Sequence, residues 1–161
     1  MSKNVFNVDY VNPFIESTCH VVRTMLKMEV SRGQIYRKKD CRPSQDVSGI
    51  INLHGAATGV VAFGMSTRAA LEATRILVGE EQRQINPTVI DAVGELANII
   101  AGNAKAKLEE LQLKISLPCV ISGREHSIAY PEGGMAIGIP FQCSHGSISI
   151  EVSMVATDSS I

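Results

Sequence analysis

The sequence predicts an α+β fold in two layers, a mainly antiparallel sheet covered by two long helices. Three observations carry this. Apolar residues switch along the chain between helical spacing and strict alternation. The alternating segments arrive as consecutive hairpins, around 49–65 and 137–155, and hairpin strands pair antiparallel. Asn12-Pro13 and Asn86-Pro87 each open a helical segment that a hairpin follows later, which reads as an internal duplication of helix plus hairpin.

In order, Asn12 is read as an N-cap and Pro13 as the first helical residue, with Phe14, Val21, Val22, Met25 and Leu26 at helical spacing to about Met28. A strand-like stretch, Gly33 to Lys38, centres on Ile35. Ile51 and Leu53 alternate with Asn52 and His54, Gly55 to Gly59 supplies a turn, and Val60-Val61-Ala62-Phe63 returns. Ser66 is placed to cap a helix from Thr67 to Val78, with Gly79 as its C-cap glycine. A long helix runs from Pro87 to about Gln112, and Ile115 to Ser122, carrying Pro118, is strand-like. In the last hairpin Ile148, Ile150, Val152 and Met154 alternate with Ser147, Ser149, Glu151 and Ser153, the pattern of a half-buried strand. The tail from Ala156 is polar and is expected to fray.

With 161 residues, 45% apolar and 19% charged, the chain is expected to form a single domain over residues 1–161. A net charge of -1 argues against nucleic acid or an anionic membrane as a partner. The basic run Arg37-Lys38-Lys39 is short, precedes Asp40, and reads as a solvated loop or strand end. There is no apolar run of 18 residues to span a membrane, and Met1 to Asp9 is polar, without the apolar core of a secretory signal. Four cysteines, at 19, 41, 119 and 143, form no Cys-x-x-Cys pair and read as reduced core residues, so a cytoplasmic location is expected. Cys143 and His145 are two potential ligands where structural zinc usually takes four, so no metal site is expected in this chain.

On the wheel of the long helix, Val89, Val93, Leu96, Ala97, Ile100, Ala104, Leu108 and Leu111 form one broad stripe. Opposite lie Asp91, Glu95, Asn98 and Gly102, with Gly94 adjacent in sequence. An ordinary solvated face would carry basic partners four residues from its acids. Residues 88–104 contain no Lys or Arg. They do contain two glycines, each costing about 1 kcal/mol against alanine, and Asn98, whose amide competes for the backbone. Such a face either lets a partner approach closely or merely tolerates its glycines for packing.

No His, Ser or second inward carboxylate accompanies Glu95 and Asn98 to build a triad or a two-carboxylate site. An amide can hold a water in line with an electrophilic phosphorus, because phosphoryl transfer is largely a matter of positioning and charge neutralisation. A convex helix cannot enclose a small substrate. It can enter a concave site on another protein that brings its own metal ion.

The run Asp91-Ala-Val-Gly-Glu95-Leu-Ala-Asn98-Ile-Ile-Ala-Gly102-Asn-Ala-Lys resembles the signature helix of the CheC/CheX/FliY phosphatases of bacterial chemotaxis. The likeness extends to Val11-Asn-Pro-Phe-Ile-Glu-Ser-Thr, to Ile115-Ser-Leu-Pro118 and to the closing hairpin, and is nearest to the CheX type. It implies hydrolysis of the aspartyl phosphate on a CheY-like response regulator, the regulator supplying the magnesium ion (Mg2+) and this chain no cofactor. Asn98 then matches the amide that orients the attacking water, Glu95 the acid that docks on a regulator lysine, and Asp91 a supporting position. Gly94 and Gly102 fall within the partner-binding face. The resemblance also implies a homodimer joined through sheet edges. CheC-like members carry a second motif on the first helix; counted from each Asn-Pro, Val21 and Thr24 stand here where Glu95 and Asn98 stand, so one site per chain is expected. Nineteen residues separate Asn98 from Pro118, fewer than the family pattern, which leaves Pro118 as a strand-end or edge residue. Two alternatives stand beside the phosphatase: a non-catalytic adaptor of the same fold, and a small-molecule hydrolase using Glu95 as base, which needs a deep pocket there.

Overall fold

A computed structural model describes residues 8–157. The elements are α1 (Val8–Thr24), β1 (Val30–Arg32), β2 (Tyr36–Arg37), β3 (Val47–His54), β4 (Ala57–Met65), α2 (Thr67–Val78), α3 (Pro87–Ala106), β5 (Lys114–Ile115), β6 (Cys119–Ser122), β7 (Ile137–Cys143) and β8 (Gly146–Ala156). Every strand pairing is antiparallel. The sheet order is β1-β7-β8-β4-β3-β5, with β2 also on β7 and β6 also on β3. The two hairpins, β3–β4 and β7–β8, meet along β4 and β8, where Val61 lies opposite Val152. Ile51, Val61, Phe63, Ile139, Ile148, Ile150 and Val152 join one core with Val22 of α1, Ala70 of α2 and Val93, Leu96 and Ile100 of α3.

Local signals placed α2 and the start of α3 as expected. Ser66 accepts a hydrogen bond from the Ala69 N–H, and Gly79 closes α2 at φ 84, in the left-handed region that glycine enters without a Cβ penalty. Asn86 accepts from the Val89 N–H, with Pro87 at the first turn of α3.

Several expectations are corrected. Helix α1 begins before Asn12, so Asn12 is not its cap and Pro13 lies inside the helix. One proline removes a single intrahelical hydrogen bond. Burial of Val11 alongside Phe14 and Ile15 extends the apolar stripe backwards and favours the longer helix. The same helix stops at Thr24, short of Met28, and Lys27 at φ 54 then turns Leu26 and Met28 into the core. Helix α3 ends at Ala106 rather than near Gln112. Its expected last turn becomes a 3-10 turn, Glu109–Leu111, with Gln112 at φ 47. That bend still buries Leu108 and Leu111, and it docks the segment on the β3–β4 turn, where Ala56 N–H donates to Leu111 O at 2.9 Å.

Of the stretch from Gly33 to Lys38 only Tyr36–Arg37 is strand, β2, while β1 ends before it at Arg32, and Ile35 itself is exposed. The 115–122 segment divides at Leu117 and Pro118 into β5 and β6, both beside β3. The turn at Gly55 is tighter than expected, β4 starting at Ala57.

Strand β8 is buried on both faces, not one. Ser149, Glu151 and Ser153 are 2% exposed or less. The loops 38–46 and 123–136 fold over that side. Lys38 Nζ reaches Glu151 Oε2 at 2.8 Å, Ser147 Oγ donates to Gln45 Oε1, and Ile128 packs on Val60 and Ala62. Burial pushes the Tyr130 phenol up, and the Glu151 charge adds to it. The tail does not fray at Ala156: β8 includes it, and Thr157 N–H and Oγ1 donate to Ala56 O and Gly55 O. Met1 to Asn7 and Asp158 to Ile161 lie outside the described residues, and with them most of the polar N-terminal stretch read above.

Candidate functional site

The predicted stripe of α3 is the buried one. Val89, Val93, Leu96, Ala97, Ile100, Ala104, Leu108 and Leu111 are all inside. The opposite side is left as a strip in which Asp91 and Glu95 are exposed and Asn98 and Gly102 half-buried. Successive members stand about one turn apart, with Cβ atoms of Glu95 and Asn98 roughly 5–6 Å from each other. Among the described residues, no hydrogen bond or ion pair engages the side chains of Asp91, Glu95 or Asn98.

Two flanks hold the strip rigid. On one side α1 packs along α3: Ser17 Oγ donates to the Ile100 carbonyl at 3.0 Å, and Lys107 pairs with Glu16 at 2.6 Å. On the other side β6 lies against Gly94. A Cβ built there would stand 3.1 Å from Val120 Cγ2 and 3.6 Å from Pro118 Cγ. Gly94 is therefore buried under β6, and its lack of a side chain serves a contact within the chain. Pro118 stands at the start of β6, the strand-end position expected of it, and it also forms part of that same wall. Its only sequence-level signal was a proline interrupting a short apolar run. Gly102 behaves differently, since a Cβ there would meet nothing within 4 Å. Of the two glycines, only Gly102 opens toward solvent.

The strip is acidic at one end and basic at the other. Asp91 and Glu95 have no Lys or Arg beside them on α3 until Lys105. The hollows bordering the strip lie at its ends, one between Asp91 and Ser122, the other between Gly102 and Ile115. Glu95 lines neither of them. On α1 the positions equivalent to the pair do nothing similar: Val21 is buried, and Thr24 Oγ1 donates to the His20 carbonyl. Among the described residues, no group of three or more His, Cys, Asp and Glu side chains is placed to hold a metal ion. No helix among them is long and apolar enough to cross a membrane.

An exposed acid and a half-buried amide on a rigid convex helix can bind and position. They cannot enclose. The unengaged Asn98 amide has both its carbonyl and its NH2 free to orient a water, and the Glu95 carboxylate is free to take up a cationic partner.

The family described as chemotaxis phosphatase CheX matches residues 47–142. The CheY-P phosphatase CheX of Thermotoga maritima is 29% identical over 121 residues, 73% of this chain and 78% of that protein. Among solved structures, a CheC-like superfamily protein from Shewanella sp. PV-4 superposes with a TM-score of 0.83 at 35% identity, covering 92% of this chain and 99% of that one. The CheX–CheY–BeF3–Mg2+ complex from Borrelia burgdorferi gives a TM-score of 0.74 at 30% identity over 93% of this chain and 98% of the other.

Proposed function

We propose that this chain, which belongs to the CheX family of chemotaxis phosphatases, hydrolyses the aspartyl phosphate of a CheY-type response regulator by inserting the α3 strip into the regulator's phosphorylation site. The observation that carries this reading is the Glu95–Asn98 pair, unengaged within the chain and displayed on a braced, convex surface. The named activity of the Thermotoga relative and the CheX–CheY pairing in the Borrelia complex support it.

In this mechanism the Asn98 carbonyl accepts a hydrogen bond from a water and its NH2 donates toward the phosphoryl group. The water is thereby held in line with phosphorus. Attack forms the new P–O bond and breaks the bond to the regulator's aspartyl oxygen. The products are a free aspartate carboxylate and inorganic phosphate, which retains the water's protons or loses one to solvent. Glu95 docks on a lysine of the regulator, fixing register rather than moving protons, and Asp91 supports it one turn earlier. Gly102 lets the regulator approach the helix backbone. We assign the Mg2+ to the regulator, because the strip offers it only two carboxylates, Asp91 and Glu95, and an amide. That ion neutralises charge on the phosphoryl oxygens.

We place the chain in the cytoplasm, in keeping with four free thiols, and infer a homodimer through sheet edges. Nucleic acid and membrane have no part in this reading.

The test is phosphate release from a panel of phosphorylated CheY-type regulators. The wild-type chain should accelerate release from at least one. Asn98→Ala should lose the acceleration while its circular dichroism and unfolding midpoint remain those of the wild type. Binding without acceleration by the wild type would leave the non-catalytic adaptor. A small-molecule hydrolase is disfavoured by the exposure of Glu95 on a convex helix.

A further inference from the structure

Helix α3 contains a single basic residue, Lys105. It stands seven residues after Asn98, about 10.5 Å along the helix axis and about 20° around it. Asn98, Gly102 and Lys105 therefore form one row, with neighbours four and three residues apart. Asn98 and Gly102 are half-buried and Lys105 is exposed. Gly102 and Lys105 also line the same hollow, of about 460 Å³. Among the described residues, no hydrogen bond or ion pair engages the Lys105 ammonium, although Glu109 shares that hollow one turn further on. Lys107, by contrast, is bound to Glu16 of α1 at 2.6 Å. A lysine in the last turn of a helix also offsets the negative end of the helix dipole. That role asks nothing of its place in the row.

The charges of the row matter to what it must enter. A phosphorylated site holds an anionic phosphoryl group and the carboxylates that a hard cation such as Mg2+ requires. Asp91 and Glu95 bring two more negative charges toward it. Glu95 is answered by a regulator lysine, and on α3 only Lys105 can answer the regulator's carboxylates. A standard interface covers about 800 Å² per partner, a disc of roughly 16 Å radius. A regulator centred on Glu95 and Asn98 thus covers Lys105 as well. We propose that Lys105 is a docking residue for the phosphorylated regulator, its ammonium facing carboxylates at the rim of the phosphorylation site. The inference rests on the phosphatase reading. It makes the strip polar end to end, so that the regulator lies along α3 in one direction only. The reversed direction sets like charges against each other.

The test measures the Kd for the regulator whose phosphate release the wild type accelerates most, held in its active form by beryllium fluoride and Mg2+. Titrations run at an ionic strength of about 0.01 M, where the Debye length is about 30 Å, and at about 1 M, where it is about 3 Å. At low salt Lys105→Gln should raise the Kd about 5-fold and Lys105→Glu should raise it further, whereas Lys105→Arg should stay within about twofold of wild type. At high salt the Lys105→Gln deficit should close to within about twofold. The release rate at saturating regulator should match wild type within about twofold in all three variants, because the lysine touches neither the attacking water nor phosphorus. A Lys105→Gln Kd within about twofold of wild type at low salt overturns the inference and leaves the phosphatase reading standing. A deficit that persists at high salt, or that Lys105→Arg shares, overturns it too, because the side chain would then act through packing rather than charge. A wild-type chain that accelerates no regulator overturns both readings together.

Discussion

Gly94 and Val120 meet across the seam between α3 and β6 so closely that a Cβ on the glycine would stand 3.1 Å from Val120 Cγ2. The contact places β6 and Pro118 directly beside the helix turn that carries Glu95. It also separates the two glycines of α3 by function, since Gly102 faces open space.

Alanine at the two glycines should therefore act in opposite directions. Gly102→Ala gains helix propensity without a clash and should stabilise the fold by about 0.5–1 kcal/mol. Gly94→Ala gains the same propensity but crowds Val120, and overpacking of this kind costs about 1–3 kcal/mol. Its expected net effect is a loss of roughly 1 kcal/mol. Urea unfolding of both variants gives the signs directly. If the regulator approaches α3 at Gly102, the stabilised Gly102→Ala chain should also bind it more weakly.

Glu95→Gln keeps the shape of the side chain and removes its charge. Loss of an interfacial charge pair should raise the regulator concentration needed for half-maximal phosphate release about 10-fold. The salt dependence of that concentration should flatten, because the attraction that salt screens is gone. A variant with the wild-type salt slope would show that Glu95 does not meet a cation.

Asp46 joins three elements. Its Oδ2 accepts from the Thr67 N–H at 2.8 Å and from Thr67 Oγ1, and its Oδ1 pairs with Arg124 at 3.2 Å. The bond from the Thr67 N–H, chiefly, holds the carboxyl below its ordinary 3.8, with burial opposing and Arg124 assisting. A depressed carboxylate contributes stability above its unfolded pKa and loses it as pH falls through the folded value. Asp46→Ala should cost about 1 kcal/mol near neutrality, the usual size of a lost helix-start cap. The difference from wild type should shrink below about pH 4. Urea midpoints from pH 6 down to pH 2.5 test both statements.

Lys38 and Glu151 form an ion pair whose side chains are only 6% and 3% exposed. Burial alone would lower the Lys38 ammonium, yet its hydrogen bond to Glu151 and that residue's charge raise it above 10.5. Lys38→Met strands a buried carboxylate and should cost about 3–5 kcal/mol. The double variant Lys38→Met/Glu151→Leu should recover most of that loss. Because the ammonium is raised, its contribution is complete below pH 10.5 and disappears only as pH climbs through the higher folded value. The contribution of the Lys38 charge to wild-type stability should thus be constant across pH 6–9. Denaturant midpoints of wild type, single and double variants measure it.

What the sequence determined by itself was whatever a few neighbouring residues settle among themselves. The Ser66 and Gly79 ends of α2, the Asn86-Pro87 start of α3, the buried stripe from Val89 to Ala104 and the two hairpins all rest on hydrogen bonds and periodicities within one or two turns. The strip of Asp91, Glu95 and Asn98 was legible for the same reason, as the reverse side of that stripe. Tertiary structure decided the rest. The coincidence of Asn12-Pro13 with Asn86-Pro87 was misleading as to the start of α1, because burial of Val11 extends that helix back through the proline. Ser149, Glu151 and Ser153 alternate like solvent residues but are enclosed by loops from distant parts of the chain, held by Lys38 and Gln45. Gly94 and Gly102 look alike on a helical wheel, and only the arrival of β6 makes one a packing contact and leaves the other open. Hydrogen bonds close within a turn of chain and leave a local pattern, whereas the enclosure of a face depends on which distant segment folds over it.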